Sequence, residues 1–184
     1  MADLDELRRR AVSGDAHAAG VLGETYLHGN KGAEMDLEKA FLWSEKAAQS
    51  GEVRALTNLG ILYRTGTPWL PKDVERARRA FEEAAERGDM KAPRYLGLMY
   101  REGQIPADNA DREAFQCFLR GAERNDITSQ YYLGEMYERG IGTRKDMEAA
   151  LKWYRKSAER GDKIAQPAMR ALERLSGNGG GESV

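Results

Sequence analysis

The residue types that most often carry chemistry are scarce in this sequence of 184 residues, which has two histidines and one cysteine. His17 and His28 stand eleven residues apart on a segment that we expect to form one helix. At 1.5 Å per residue the two imidazoles are about 16 Å apart along the helix axis, so they cannot share one metal ion. Cys117 has no second cysteine with which to form a disulfide or a thiolate zinc site. We therefore expect no catalytic site, no metal site and no cofactor.

The overall composition argues against several further classes of function. The sequence has 29 basic and 30 acidic residues, so net charge gives no general argument for nucleic-acid binding. No run approaches the roughly 20 apolar residues of a membrane-spanning helix, and the first fifteen residues lack the apolar stretch of a secretory signal. Glycine-rich phosphate loops and nucleophile elbows are absent from the sequence. We expect a cytoplasmic protein that binds neither membranes nor nucleic acid.

Four landmarks recur in a fixed order along most of the chain. A Leu-Gly pair occurs four times at intervals of 37 residues, and each pair is followed by a tyrosine, a glycine and, farther on, an alanine. The pairs begin at Leu22, Leu59, Leu96 and Leu133, and the tyrosines are Tyr26, Tyr63, Tyr100 and Tyr137. A period of this length is typical of a repeat protein in which each unit packs on the next.

Each repeat is predicted to contain two helices. In the first helix, alanine, leucine and tyrosine recur every four residues and share one face, as in Ala18, Leu22 and Tyr26. In the second helix the pattern predicts a buried stripe through the register of Trp43, Ala80, Cys117 and Trp153, so Cys117 is expected in the core. The glycine inside each first helix costs about 1 kcal/mol relative to alanine. We expect a close neighbouring helix to compensate for that cost.

The pattern A-x-x-x-L-G-x-x-Y-x-x-G, followed by D-x-x-x-A, an aromatic residue and A-A-x-x-G-D, resembles the Sel1-like repeat, a relative of the tetratricopeptide repeat. The resemblance implies an all-α fold, a right-handed superhelix of antiparallel helix pairs, within one domain of residues 1–175. It places the repeats near 14–50, 51–87, 88–124 and 125–160, a capping helix at 3–13, a last helix at 162–175 and a flexible tail at 176–184. The cysteines of the disulfide-rich secreted members are missing here.

In such superhelices the first helix of each pair lines a concave groove, which is the expected binding surface. The positions between the core residues should face this groove. The candidate partner-binding residues are mostly cationic, with apolar and aromatic residues among them: Arg54, Ile61, Arg64, Lys91, Arg94, Leu98, Arg101 and Tyr131. Arginine and lysine side chains in this setting suit an acidic peptide or protein loop. A solvated face with its own salt bridges explains the same residues equally well.

Trp69, in a loop between two prolines, is a second candidate anchor for a partner. The resemblance favours the alternative that an apolar residue of this loop, here Trp69, packs on its own hairpin. These observations together predict a monomeric, non-enzymatic adaptor or scaffold that binds a protein or peptide, with a regulator or inhibitor of immunity type as one form. The alternative is a receptor or enzyme for a small anionic ligand that uses the same groove.

Overall fold

Helices account for the regular structure of residues 3–177, which are the residues that the structure, a computed structural model, describes. Within that range there are ten α-helices and no β-strand, which confirms the all-α prediction. The helices are α1 Leu4–Val12, α2 Ala16–His28, α3 Leu37–Gln49, α4 Val53–Thr65, α5 Val74–Glu86, α6 Ala92–Arg101, α7 Ala110–Glu123, α8 Ile127–Arg139, α9 Met147–Ala158 and α10 Gln166–Gly177.

Short polar side chains begin most of these helices. The carboxylates of Asp36, Asp73 and Asp146 each accept a hydrogen bond from a backbone N–H in the first turn of α3, α5 and α9. The sequence left the corresponding residue of the third repeat open, and the structure shows that it is Asn109, which accepts from the backbone N–H of Arg112. The helix starts therefore follow from local sequence.

The chain divides into two compact units between Ala92 and Pro93. In the first unit α2 packs on α3 and α4 on α5, and α1 covers α2. In the second unit α8 packs on α7 and α9, and α10 packs on α9. Each unit encloses its own apolar core of alanine, leucine and aromatic side chains. First and second helices of a repeat therefore form the antiparallel pairs that the sequence pattern predicts.

The glycines inside the first helices make room for an aromatic ring from the second helix of the same repeat. A Cβ atom on Gly60 would lie 2.6 Å from the ring of Phe81. The same position in the next two repeats meets the rings of Phe118 and Tyr154. The close approach that we expected is therefore present, but in these three repeats the neighbour is a side chain.

The first repeat solves the same contact differently, because Ser44 stands where the other repeats have a ring. A Cβ atom on Gly23 would lie 3.2 Å from the backbone nitrogen of Ser44 and 3.3 Å from the carbonyl oxygen of Ala40. The backbone of α3 itself therefore approaches α2. Ser44 is fully buried, and its hydroxyl has no hydrogen-bond partner.

In the predicted core stripe of the second helices, the outer positions such as Ala40, Ala77 and Ala150 are fully buried, but the middle position was wrong by one residue. The innermost positions are Ser44, Phe81, Phe118 and Tyr154, all 0–1% exposed. Cys117, expected in the core, is only partly buried. The reason is the glycine contact, since the residue that fills the space over the glycine points straight at the first helix. The residue that precedes it in each second helix lies at the edge of the core. There Lys46 lies over the ring of Trp43, and Lys156 lies over the ring of Trp153.

The chain ends differ slightly from the sequence prediction. The N-terminal helix falls within the expected 3–13. The last helix starts at Gln166 rather than at 162, because Asp162 caps a separate turn by accepting from the backbone N–H groups of Ile164 and Ala165. It runs to Gly177, so the first two residues of the predicted tail are helical. The rest of that tail, 178–184, lies outside the described residues.

Candidate functional site

A carboxylate and two cations meet on the first-helix face of the first unit. Glu24 of α2 lies 2.6 Å from Arg54 of α4 and 2.5 Å from Lys91, which directly precedes α6. The three residues come from three successive repeats. Two of the predicted groove cations, Arg54 and Lys91, therefore share a single carboxylate, which engages both of them but offsets only one of their two charges.

The Glu24 carboxylate is charged at all ordinary pH values. Burial opposes its ionisation, but hydrogen bonds and attraction from Lys91 and Arg54 outweigh burial and lower its pKa to about 2. Its side chain is 18% exposed, against 38% for Arg54 and 40% for Lys91. The cations therefore keep part of their surface in solvent while they hold the acid.

Arg94 of α6 is a structural residue in the second unit. Its guanidinium donates to Asp126 at 2.9 Å, and the two side chains are only 14% and 6% exposed. Asp126 is the N-cap residue of α8. Its carboxylate also accepts hydrogen bonds from the backbone N–H and the hydroxyl of Ser129. An arginine buried in this way positions a helix and presents little charge to a partner.

Arg101 and Arg64 are engaged as well. Arg101 donates to Glu135 at 3.2 Å and lies over the ring of Tyr132. Arg64 is partly buried and also has interactions within the chain. The predicted row of basic groove residues is thus matched by glutamate and aspartate from neighbouring repeats. Whether a partner binds there stays a prediction.

An apolar cavity of about 290 Å³ opens on the first unit beside Ile61. Its walls come from α2, α4 and the loop that follows α2, and they include Leu27, Leu62 and Met35. Met35 is 66% exposed at its edge. Leu98 stands at the register of Ile61 in the third repeat, but it packs against the apolar core of the second unit.

Tyr131 lines a larger, polar cavity of about 610 Å³ in the second unit. The cavity lies between α8 and α10, with Tyr154 of α9 in its wall. Two glutamates and three arginines line it together with Pro167 and Ala171: Glu135, Glu138, Arg139, Arg170 and Arg174.

Both glutamates of this cavity are already held by cations. Glu138 lies 2.8 Å from Arg174 and accepts a further hydrogen bond from the hydroxyl of Tyr154 at 2.8 Å. The Arg174 hydrogen bonds lower the pKa of Glu138 against the opposing effect of burial. Glu135 is bonded by Arg101 and by Arg139, each at 3.2 Å.

Of the residues in this cavity, the sequence prediction chose Tyr131 as a candidate partner contact and placed Glu135, Glu138 and Arg139 at groove-facing positions of the same helix. The arginines of α10 were missed because that helix was treated as a cap. Arg170 and Arg174 are four residues apart, so they share one helix face, and that spacing was the available signal.

Trp69 is 42% exposed, and its ring packs edge-on against Phe41 at 5.5 Å. The interpretation that Trp69 is the loop residue folded onto the hairpin was therefore wrong. Leu70 takes that role, since it contacts the core of the first unit and its backbone N–H donates to the Thr67 hydroxyl.

Metal-ion binding and membrane insertion each require a recognisable arrangement of residues. Among residues 3–177, no cluster of three or more His, Cys, Asp or Glu side chains is arranged to hold a metal ion. No helix in the same range is long and apolar enough to cross a membrane.

Helix pairs of constant length, a glycine contact inside each pair and a polar first-helix face define a tetratricopeptide-like helical repeat protein. The Sel1 repeat family matches residues 16–52, 53–89, 92–126 and 127–162. The chain belongs to the Sel1 repeat family, as the sequence pattern predicted.

Solved structures support the same assignment. A protective antigen of uropathogenic Escherichia coli, c5321, which displays the SLR fold, is 33% identical over 90% of this chain and 35% of its own, with a TM-score of 0.70. A Sel1 repeat protein from Oxalobacter formigenes is 33% identical over 88% of this chain and 65% of its own, with a TM-score of 0.73. The chain thus spans about a third and just under two thirds of these relatives.

A more distant structure agrees on the fold alone. Helicobacter pylori cysteine rich protein B is 23% identical over 71% of this chain and 92% of its own, with a TM-score of 0.54. No curated protein matches the chain. Sel1 repeats generally act as scaffolds for protein–protein interactions and are generally not enzymes.

Proposed function

We propose that this protein is a non-enzymatic scaffold or adaptor that binds a protein or peptide partner through the face formed by its first helices. The observation that carries the proposal is a cavity beside first-helix residues in each unit, an apolar one beside Ile61 in the first unit and a polar one beside Tyr131 in the second. Their volumes, about 290 and 610 Å³, are large enough to accept side chains of a partner.

The charges on this face set the kind of partner. Because Glu24 pairs with both Arg54 and Lys91, and Asp126 pairs with Arg94, all three predicted central cations are engaged within the chain and two of their three charges are offset. An acidic partner segment is therefore better placed at the ends of the face, where arginines keep exposed donors. Regulation or inhibition of that partner, and action as a monomer in the cytoplasm, belong to the same proposal.

Site-specific photocrosslinking tests the proposal. Benzoylphenylalanine placed at Thr65, an exposed residue of the apolar cavity, should crosslink a partner in host lysate. The same group at Leu42, 63% exposed on the second helix α3, should not. The crosslinked protein, once identified and purified, should bind the wild-type chain in solution.

Binding to that purified partner provides the decisive comparison. Ile61→Asp should weaken its affinity about tenfold, whereas Leu42→Asp should leave it unchanged. Equal loss in both variants, or crosslinking only from Leu42, would show that the first-helix face is not the binding surface.

A receptor for a small anionic ligand is the second candidate, because the polar cavity falls within the range of about 300–1,000 Å³ that is usual for small-molecule sites. Such a ligand stabilises the folded chain by mass action. A rise in melting temperature with citrate or glutarate that is absent with equal ionic strength of sodium chloride would favour this candidate over the scaffold.

A further inference from the structure

The polar cavity of the second unit contains a cation, Arg170, for which residues 3–177 provide no counterion. Arg139 and Arg174 each bond a glutamate, but Arg170 has no ion pair among residues 3–177. Arg170 and Arg174 also repel each other, since like charges four residues apart on a helix are unfavourable. The cavity therefore has more positive than negative charge on its walls.

The two glutamates of the cavity, Glu135 and Glu138, do not cancel this excess of positive charge. Glu138 is held by Arg174 and Tyr154, and Glu135 by Arg101 and Arg139, so both carboxylates are fully occupied. Arg139 and Arg174 are 59% and 53% exposed, so each still presents N–H donors to solvent at the rim. A guanidinium has five such donors, and a carboxylate is the anion that its geometry fits best.

Apolar and aromatic surface lies directly beside these donors. The rings of Tyr131 and Tyr154 lie 5.8 Å apart, and Pro167 and Ala171 continue the wall on α10. A ligand that carries only charge would leave this surface uncovered. A ligand with an apolar side chain next to a carboxylate would use both parts of the cavity.

We propose that the cavity between α8 and α10 is a binding site for an acidic peptide segment of the partner, in which aspartate or glutamate flanks an apolar residue. Arg170 holds a carboxylate, with the outer N–H groups of Arg139 and Arg174 at the rim. The apolar residue packs on the accessible parts of Tyr131 and Pro167, with buried Tyr154 behind Tyr131. The inference rests on the scaffold function proposed above and specifies the partner chemistry.

An array of short peptides with Asp or Glu on both sides of one apolar residue tests this site. The matched array carries Asn and Gln instead, so that shape is kept and charge is removed. We expect the acidic peptides to bind about tenfold more tightly than the amide peptides, with affinity that falls as salt rises. Equal binding of the two arrays, or no binding of the acidic one, would overturn the proposal.

Two charge reversals locate the contact. Arg170→Glu should weaken the acidic peptide about tenfold while circular dichroism and melting temperature stay at the wild-type values. Arg144→Glu makes the same change of net charge at an exposed loop position of the same unit, and it should have little effect. A similar loss in both variants would show that only net charge matters, and the site would be rejected.

Competition separates a peptide from other anions. Free glutarate and an oligothymidylate should each fail to displace the bound peptide at equal concentration of negative charge. Displacement by either one would assign the cavity to a small anion or to a nucleic acid and overturn the proposal.

The scaffold function and the peptide site can be disproved separately. If Arg170→Glu leaves binding of the partner crosslinked at Thr65 unchanged, the scaffold stands and the peptide site is lost. If the acidic peptides bind but no protein crosslinks at Thr65, the cavity stands and the binding face proposed for the first unit is lost.

Discussion

Two buried serines show how a single hydroxyl affects this fold. Ser44 of α3 and Ser157 of α9 are both 0% exposed. The Ser157 hydroxyl donates to the carbonyl oxygen of Ile127 at 2.9 Å, whereas the Ser44 hydroxyl has no hydrogen-bond partner among residues 3–177. The two residues therefore have equal burial and opposite hydrogen-bonding states.

Replacing each serine by alanine should change stability in opposite directions. Ser157→Ala should lower the free energy of unfolding by about 1 kcal/mol, because it removes the hydrogen bond that the buried Ser157 hydroxyl donates to the carbonyl oxygen of Ile127. Ser44→Ala should raise it by about 1 kcal/mol, because it removes an unsatisfied hydroxyl. Urea unfolding of the two variants measures the difference, and the small gain from alanine in a helix is common to both. A loss in Ser44→Ala equal to that in Ser157→Ala would contradict the assignment.

Arg94 provides a second test at this scale. Arg94→Glu should unfold or strongly destabilise the second unit, by about 3 kcal/mol or more, because it places a carboxylate beside buried Asp126. Arg139→Glu, which removes a largely exposed partner of Glu135, should cost much less. Thermal unfolding followed by circular dichroism distinguishes them, and similar melting temperatures would show that Arg94 is not structural. The charge reversal of Arg94 is consequently unsuitable as a binding test.

At the scale of the helix pair, the contact between Gly97 and Phe118 sets the packing of α6 on α7. A Cβ atom at Gly97 would lie 2.9 Å from two ring atoms of Phe118, which is too close for an unstrained contact. Gly97→Ala should therefore destabilise the protein by about 1–3 kcal/mol, although alanine is the better helix former.

The double variant Gly97→Ala/Phe118→Leu controls for other effects of the two substitutions. The smaller leucine leaves space for the new methyl group, so the double variant should lose less stability than the two single changes combined. Strict additivity in chemical denaturation would mean that the ring and the glycine do not meet.

The sequence predicted the elements well because their signals are local. Spacing of four along the first helices and aspartates before the second helices fix where helices form, and the structure agrees on both. The outer positions of the second-helix stripe are buried as predicted, but the middle position failed by one residue, at Cys117 for example. That choice depends on which side chain faces the glycine of a partner helix, and periodicity within one helix does not contain this information.

The candidate site was less predictable for the same reason. Tyr131 and the cations of the first helices were placed on the right helices, but their counterions come from other repeats. Glu24 pairs with residues 30 and 67 positions away. Such pairs depend on how side chains of neighbouring repeats meet. The sequence alone therefore does not distinguish an arginine that pairs with an acid of another repeat from one that does not.

At the scale of the whole molecule, the Glu24 cluster should make stability depend on acid. The pKa of Glu24 is about 2 in the folded chain against an ordinary 4.5, so its contribution is complete above pH 4.5 and declines as pH falls toward 2. Glu24→Gln should lower the free energy of unfolding by about 2 kcal/mol near neutral pH, and the difference from wild type should shrink on acidification.

Glu75 supplies the control for that titration. Its pKa is also lowered to about 2 by hydrogen bonds from Arg78 and Arg79, but its side chain is 51% exposed to solvent, against 18% for Glu24. Screening by water should make Glu75→Gln nearly neutral at every pH. Urea titrations across the acid range compare the variants, and a pH-independent difference between wild type and Glu24→Gln would refute the role given to this carboxylate.

The ring and the glycine that meet in the later repeats belong to the same repeat, so a gene duplication copies both halves of the contact together. An array can therefore gain or lose such a repeat without a compensating substitution inside the helix pair of that repeat. The ion pairs of Glu24 and Glu135 join different repeats, and each new junction would need to acquire its own charges. Evolution of length in this protein is thus constrained at the borders between repeats, where these ion pairs lie.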